Sequence, residues 1–163
     1  MTRKVAYFGV LLSLSLILGY VESLFPFGFG IPGVKLGLAN LVTMVALFCL
    51  GAGEAILLSI MRVILSGILF GNMFAIVYSL SGAAFSLIIM ILLKKTKKFS
   101  VLGVSIAGGV AHNIGQIILA TFLMENKAFF YYIPVLLIVG TVTGMLIGVG
   151  SNEVMKRLPK IGI

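Results

Sequence analysis

The sequence contains no aspartate; its four acidic residues are Glu22, Glu54, Glu125 and Glu153. That absence excludes the aspartate-rich motif that holds magnesium for diphosphate chemistry. A glycine-rich loop ending in Lys-Ser or Lys-Thr, which would cradle nucleotide phosphates, is also missing, so the chain is not expected to hydrolyse ATP by itself. The four glutamates form no evident acid–base pair or proton relay, and no enzyme activity is expected. The lone cysteine, Cys49, excludes an internal disulfide and a cysteine-built metal site, and reads as an inert buried thiol. The single histidine, His112, lacks the His, Cys or acidic company that a metal ion requires. Neither a metal nor a cofactor is expected.

Charge is scarce as well. Charged residues make up 10% of the 163 and hydrophobic residues 61%, with a mean hydropathy of +1.25, whereas a soluble domain is about 45–50% apolar. Apolar runs near the roughly 20 residues needed to cross a bilayer recur from Val5 to the C-terminus. The lipid bilayer is therefore the expected solvent.

A net charge of +8 would suit nucleic acid, but the positions of the charges argue against it. Arg3 and Lys4 precede the first apolar run, Lys94, Lys95, Lys97 and Lys98 follow the fourth, and Lys156, Arg157 and Lys160 close the chain. Basic segments stay on the cytoplasmic side of a membrane, so these three should share it, with both termini inside. The first run could be mistaken for a signal peptide, but no small-x-small cleavage site follows it, and a retained helix is expected.

Six apolar segments are expected within one transmembrane domain covering residues 1–163: 4–24, 36–51, 54–70, 73–93, 101–124 and 131–155. The fold class is all-α, a polytopic six-helix bundle. Starting inside, residues 25–35, Gly71-Asn72 and residues 125–130 fall outside, while Gly51-Ala52-Gly53, residues 94–100 and the tail fall inside. Segments two and three are short, and a re-entrant hairpin would leave every other segment's direction unchanged. Two full spans are preferred because neither segment contains an internal proline.

Small residues recur at packing intervals. Gly140, Gly144 and Gly148 stand four apart in the last segment, a stripe that lets a neighbouring helix approach closely inside the bundle. Gly9 and Ser13, and Ser15 and Gly19, repeat the spacing in the first helix, where the small face could meet either the bundle or another subunit.

Arg62 lies mid-way along the third segment, where an arginine costs at least about 2.5–3.5 kcal/mol to insert, so it should face protein or water. With no carboxylate evident in its layer, its planar fork is a reasonable anion site; a structural arginine bound to carbonyls or amides is the alternative. In the fifth segment, His112, Asn113 and Gln116 line one sector of an apolar helix. They read as hydrogen-bonding groups for a small molecule, or as interhelical bonds. The first outer loop, residues 25–35, is rich in Phe, Pro and Gly and could rest at the headgroups or close as a lid, bringing Lys35 and Asn40 to a substrate. Phe129, Phe130, Tyr131 and Tyr132 read as an interfacial belt.

Three stretches carry a resemblance over nearly the whole chain: residues 32–40 (Pro-Gly-Val-Lys-Leu-Gly-Leu-Ala-Asn), residues 62–71 (Arg-Val-Ile-Leu-Ser-Gly-Ile-Leu-Phe-Gly) and residues 112–116 (His-Asn-Ile-Gly-Gln). The chain resembles the Gx transporter family, historically labelled heptaprenyl diphosphate synthase component I, and more broadly the S components of energy-coupling factor (ECF) transporters. The resemblance implies a multi-pass protein of the bacterial cytoplasmic membrane. Such a subunit captures a vitamin or other scarce metabolite outside and releases it inside when docked on a transmembrane coupling protein driven by two ATPases. It also implies a docking surface on the first helix, where Gly9 and Ser13 stand nearest to the family's Ala-x-x-x-Ala contact. The older label implies instead a noncatalytic membrane subunit of a prenyl diphosphate synthase. A solitary channel or ion-coupled carrier is a third class. The expected ligand is small and anionic, bound by Arg62, Lys35, Asn40, His112, Asn113 and Gln116.

Overall fold

The computed structural model describes residues 2–24 and 37–158. It is all helical: α1 (Thr2–Leu24), α2 (Leu38–Cys49), α3 (Ala52–Phe70), α4 (Met73–Thr96), α5 (Val101–Met124), a 3-10 turn (Lys127–Tyr132) and α6 (Ile133–Arg157). Five of the helices are long and apolar enough to cross a membrane. The exception is α2, whose 12 residues span about 18 Å at 1.5 Å per residue.

Local chemistry explains the boundaries. Gly37 precedes α2 with a φ of 75° and Gly51 separates α2 from α3 with a φ of 127°, both in the region that glycine occupies freely. The α2–α3 turn is therefore tight enough for two successive helices to pack together. Asn72 and Ser100 cap α4 and α5 by accepting from Ala75 N at 2.8 Å and Gly103 N at 3.2 Å. The last segment starts later than its hydropathy suggests. Asn126 Oδ1 accepts from Ala128 N at 2.9 Å and opens the 3-10 turn, so α6 begins only at Ile133, where Pro134 fits the first turn without forfeiting a hydrogen bond.

Packing divides the bundle into two sets. Helix α5 lies between α4 and α6, while α1 rests on α2 and α3; α2 meets α6 and α3 meets α4. The glycine stripe of α6 faces α5: a methyl group on Gly144 would lie 2.7 Å from Ile106 Cα, and one on Gly109 would lie 2.5 Å from Gly140 O. The two backbones thus touch, the geometry by which helices associate in lipid. By contrast, Ser15 is the only buried residue among those described on α1. Val5, Ile68, Phe122 and Ile138 are among many large apolar side chains facing outward, an apolar coat suited to lipid rather than water.

The apolar core occupies one end of the bundle, where Met44, Leu47, Leu58, Leu87, Met90, Val104 and Ile147 pack together. At this closed end Lys94 Nζ donates to Leu47 O at 2.5 Å and lies 5.1 Å from the centre of the Phe48 ring, binding α4 to the carbonyl end of α2. Lys4 and Glu54 pair nearby at 3.7 Å, joining α1 to α3. Among the described residues, the opposite end is open.

Candidate functional site

The open end holds a cavity of about 170 Å³ whose walls come from all six helices. Its first set of walls, α1 to α3, supplies both charged groups: Glu22 from the last turn of α1 and Arg62 from α3, with Asn40 from the first turn of α2. The second set, α4 to α6, supplies hydrogen-bonding groups: Ser79, His112, Asn113, Gln116 and Thr143. Five of the six residues expected at a binding site therefore meet around one space. The sixth, Lys35, lies outside the described residues, as does the proposed aromatic lid.

The partner of Arg62, not evident in the sequence, is Asn40: Arg62 Nη2 donates to Asn40 Oδ1 at 3.0 Å. Arg62 Nε is buried and has no hydrogen-bond partner. The remainder of the guanidinium fork is thus left to whatever enters the cavity. The N-terminus of α2 lies in the same wall through Gly37, Ala39 and Asn40, and its helix dipole adds positive potential there.

The expectation that Arg62 has no carboxylate in its layer is corrected by Glu22, which lines the same cavity and whose charge acts on Arg62. The two form no ion pair within 4.0 Å. Among the described residues, the ion pairs within 4.0 Å are Lys4–Glu54, Lys156–Glu153 and Arg157–Glu153. One Glu22 oxygen, Oε1, accepts from Gly37 N at 2.6 Å and so fixes the entry to α2. Helices α1 and α3 end on the same side of the bundle, and Glu22, two residues from the end of α1, and Arg62, eight residues from the end of α3, line the same cavity. The Tyr20–Phe70 ring contact, with centroids 5.3 Å apart, joins those two ends.

The α5 cluster splits by role. Asn113 Nδ2 donates to Leu136 O at 2.8 Å, an interhelical bond to α6. Gln116 is 6% exposed, and its amide makes no hydrogen bond among the described residues, so it faces the cavity with its polar groups available. Gly82 of α4 makes room for both long side chains: a methyl group there would lie 2.8 Å from His112 Cε1 and Nε2 and 2.9 Å from Gln116 Cγ. Two of the cavity hydroxyls are already oriented, since Ser66 Oγ donates to Val63 O at 3.2 Å and Thr143 Oγ1 to Val139 O at 2.9 Å, leaving their oxygens as acceptors.

Beneath the cavity, toward the closed end, a chamber of about 30 Å³ shares Asn40, Gly109, His112 and Ile147 with it. Thr43, Ser59, Ser86 and Ser105 bring four hydroxyls to its lining, and Thr43 Oγ1 is buried without a partner. The chamber has the size and polarity for an ordered water.

The arrangement can orient and neutralise a small polar molecule. Gly9 and Ser13 take no part in it; both are exposed on α1, and a methyl group on Gly9 would meet nothing within 4 Å. Phe130, Tyr131 and Tyr132 are exposed on the 3-10 turn at the same end as the cavity. A family model described as heptaprenyl diphosphate synthase component I matches residues 11–154. No curated protein and no solved structure matches the chain.

Proposed function

From the premise that this chain belongs to the heptaprenyl diphosphate synthase component I family, we propose that it is the substrate-capturing membrane subunit of an importer, working as the S components of ECF transporters do. In this reading it is a single domain of the bacterial cytoplasmic membrane with both termini inside. The open end faces out. A small anionic metabolite enters there, and a coupling protein with two ATPases supplies the energy for its release on the other side. The chain itself makes and breaks no covalent bond.

The observation that carries this reading is Arg62: a guanidinium oriented by Asn40, with buried Nε unpartnered, in the wall of a cavity. Such a group binds carboxylate or phosphate oxygens by charge-assisted hydrogen bonds. Gln116, His112 and Asn40 supply oriented polar contacts, Lys35 a second positive charge, and residues 25–35 the cover. The exposed Gly9–Ser13 face of α1 is the docking surface for the coupling protein, because an open small-residue face permits close helix approach.

Affinity purification of the tagged chain from its native membrane tests the assignment. Recovery of a coupling protein and its ATPases, with ATP-dependent uptake into vesicles, is the expected result. Recovery of a soluble prenyl synthase whose product formation depends on this chain would replace the importer with the accessory-subunit reading. Uptake without any ATPase would make it a solitary carrier.

A further inference from the structure

The cavity wall carries a carboxylate as well as a guanidinium, and the two do not close on each other. Glu22 and Arg62 line one space, Glu22 is the carboxylate whose charge acts on Arg62, and no ion pair within 4.0 Å joins them. A purely anionic ligand on Arg62 would be held against the field of Glu22, and a purely cationic one against Arg62. A molecule bearing both signs satisfies both walls.

We propose that the cavity binds an amphoteric ligand, its anionic group on Arg62 and an ammonium or strongly polarised N–H group on Glu22. This rests on the cavity being the ligand site, and it sharpens the ligand from an anion to a zwitterion or a comparable donor-bearing acid. Glu22 then has two functions: Oε1 holds Gly37 N, and the rest of the carboxylate receives the ligand's donor. Gln116 lies on the opposite wall, where its unpaired amide can serve either end of the molecule because it both donates and accepts.

The test uses the full chain in detergent and three probes of matched length: 5-aminovalerate, valerate and pentylamine. Thermal stabilisation and titration calorimetry rank them on the unaltered protein and on Glu22→Gln and Arg62→Gln. The unaltered protein should prefer 5-aminovalerate over both singly charged probes. Glu22→Gln should reduce its preference over valerate by about tenfold, or about 1.4 kcal/mol, and Arg62→Gln should abolish the response to both acids. The amide of Glu22→Gln keeps an oxygen for Gly37 N, so folding should survive; if it does not, the ranking on the unaltered protein decides. Valerate binding as well as 5-aminovalerate, with sensitivity to Arg62→Gln, overturns the amphoteric ligand and leaves anion capture standing. No response to any probe overturns both.

Discussion

Arg62 and Asn40 are joined by a hydrogen bond of 3.0 Å from Nη2 to Oδ1, which ties the middle of α3 to the first turn of α2. The bond aims the guanidinium without neutralising it. A hydrogen bond to a charged group contributes about 1.5–3 kcal/mol, so Arg62→Gln should weaken retention of a bound anion by at least about tenfold. Asn40→Asp should also weaken it while leaving thermal stability unchanged or higher, because an ion pair would occupy the fork. Mass spectrometry of the small molecule retained through purification checks both, and unchanged retention in folded Arg62→Gln would remove the anion assignment.

Gly82 allows the imidazole of His112 and the side chain of Gln116 to lie against α4, and a methyl group would come within 2.9 Å of both. Gly82→Ala should lower stability by about 1–3 kcal/mol through overpacking and also impair ligand retention. Gly53→Ala is the control. A methyl group there meets nothing within 4 Å, so the higher helix propensity of alanine should hold or raise the melting temperature.

The glycines of α5 and α6 should separate from those of α1 in their effects. Gly144→Ala drives a methyl group against backbone, which cannot yield as a flexible side chain can, and should lower the melting temperature sharply. Gly9→Leu with Ser13→Leu should leave folding and ligand retention unchanged but prevent copurification of the coupling protein. Intact assembly in that double variant would place the docking surface elsewhere.

Lys94→Met retains an apolar stem but removes the cation that Leu47 O and the Phe48 ring receive. Thermal unfolding in detergent should register a loss of about 1–2 kcal/mol. Lys94→Arg should recover most of it.

Orientation can be read by labelling single cysteines in a Cys49→Ser background with a membrane-impermeant maleimide. Asn126→Cys should react in intact cells, whereas Lys97→Cys and Ala52→Cys should react only once the inner face is exposed. Reaction of Lys97→Cys from outside would invert the bundle, and failure of Ala52→Cys on either side would favour a re-entrant α2–α3 hairpin.

The helices were legible because apolar length and terminal charge are local properties; the caps at Asn72 and Ser100 came only with the structure. Segment two proved shorter than its hydropathy: Gly37, at a φ of 75°, holds the chain out of helix until Leu38. In the site, Arg62, His112 and Gln116 stood out because polar groups are conspicuous in apolar helices. Glu22 and Asn40 were harder to relate to Arg62, because the choice of neighbours for α3 depends on packing between helices distant in sequence. Asn113 illustrates a further limit. Its position beside His112 suggested a ligand contact or an interhelical bond; its amide nitrogen donates to Leu136 O, a partner no spacing rule reveals, while the residue also lines the cavity.

The distribution of the walls has a mechanical consequence. The carboxylate and the guanidinium belong to α1–α3, and the hydrogen-bonding groups His112, Gln116 and Thr143 belong to α4–α6. A guest touching both sides would add a tie across the seam at the cavity end, beyond the Lys94–Leu47 bond and the α2–α6 and α3–α4 packing that already join the halves. A bound guest would thereby stiffen the cavity end against the rest of the bundle, a change that a docked partner could read without touching the guest.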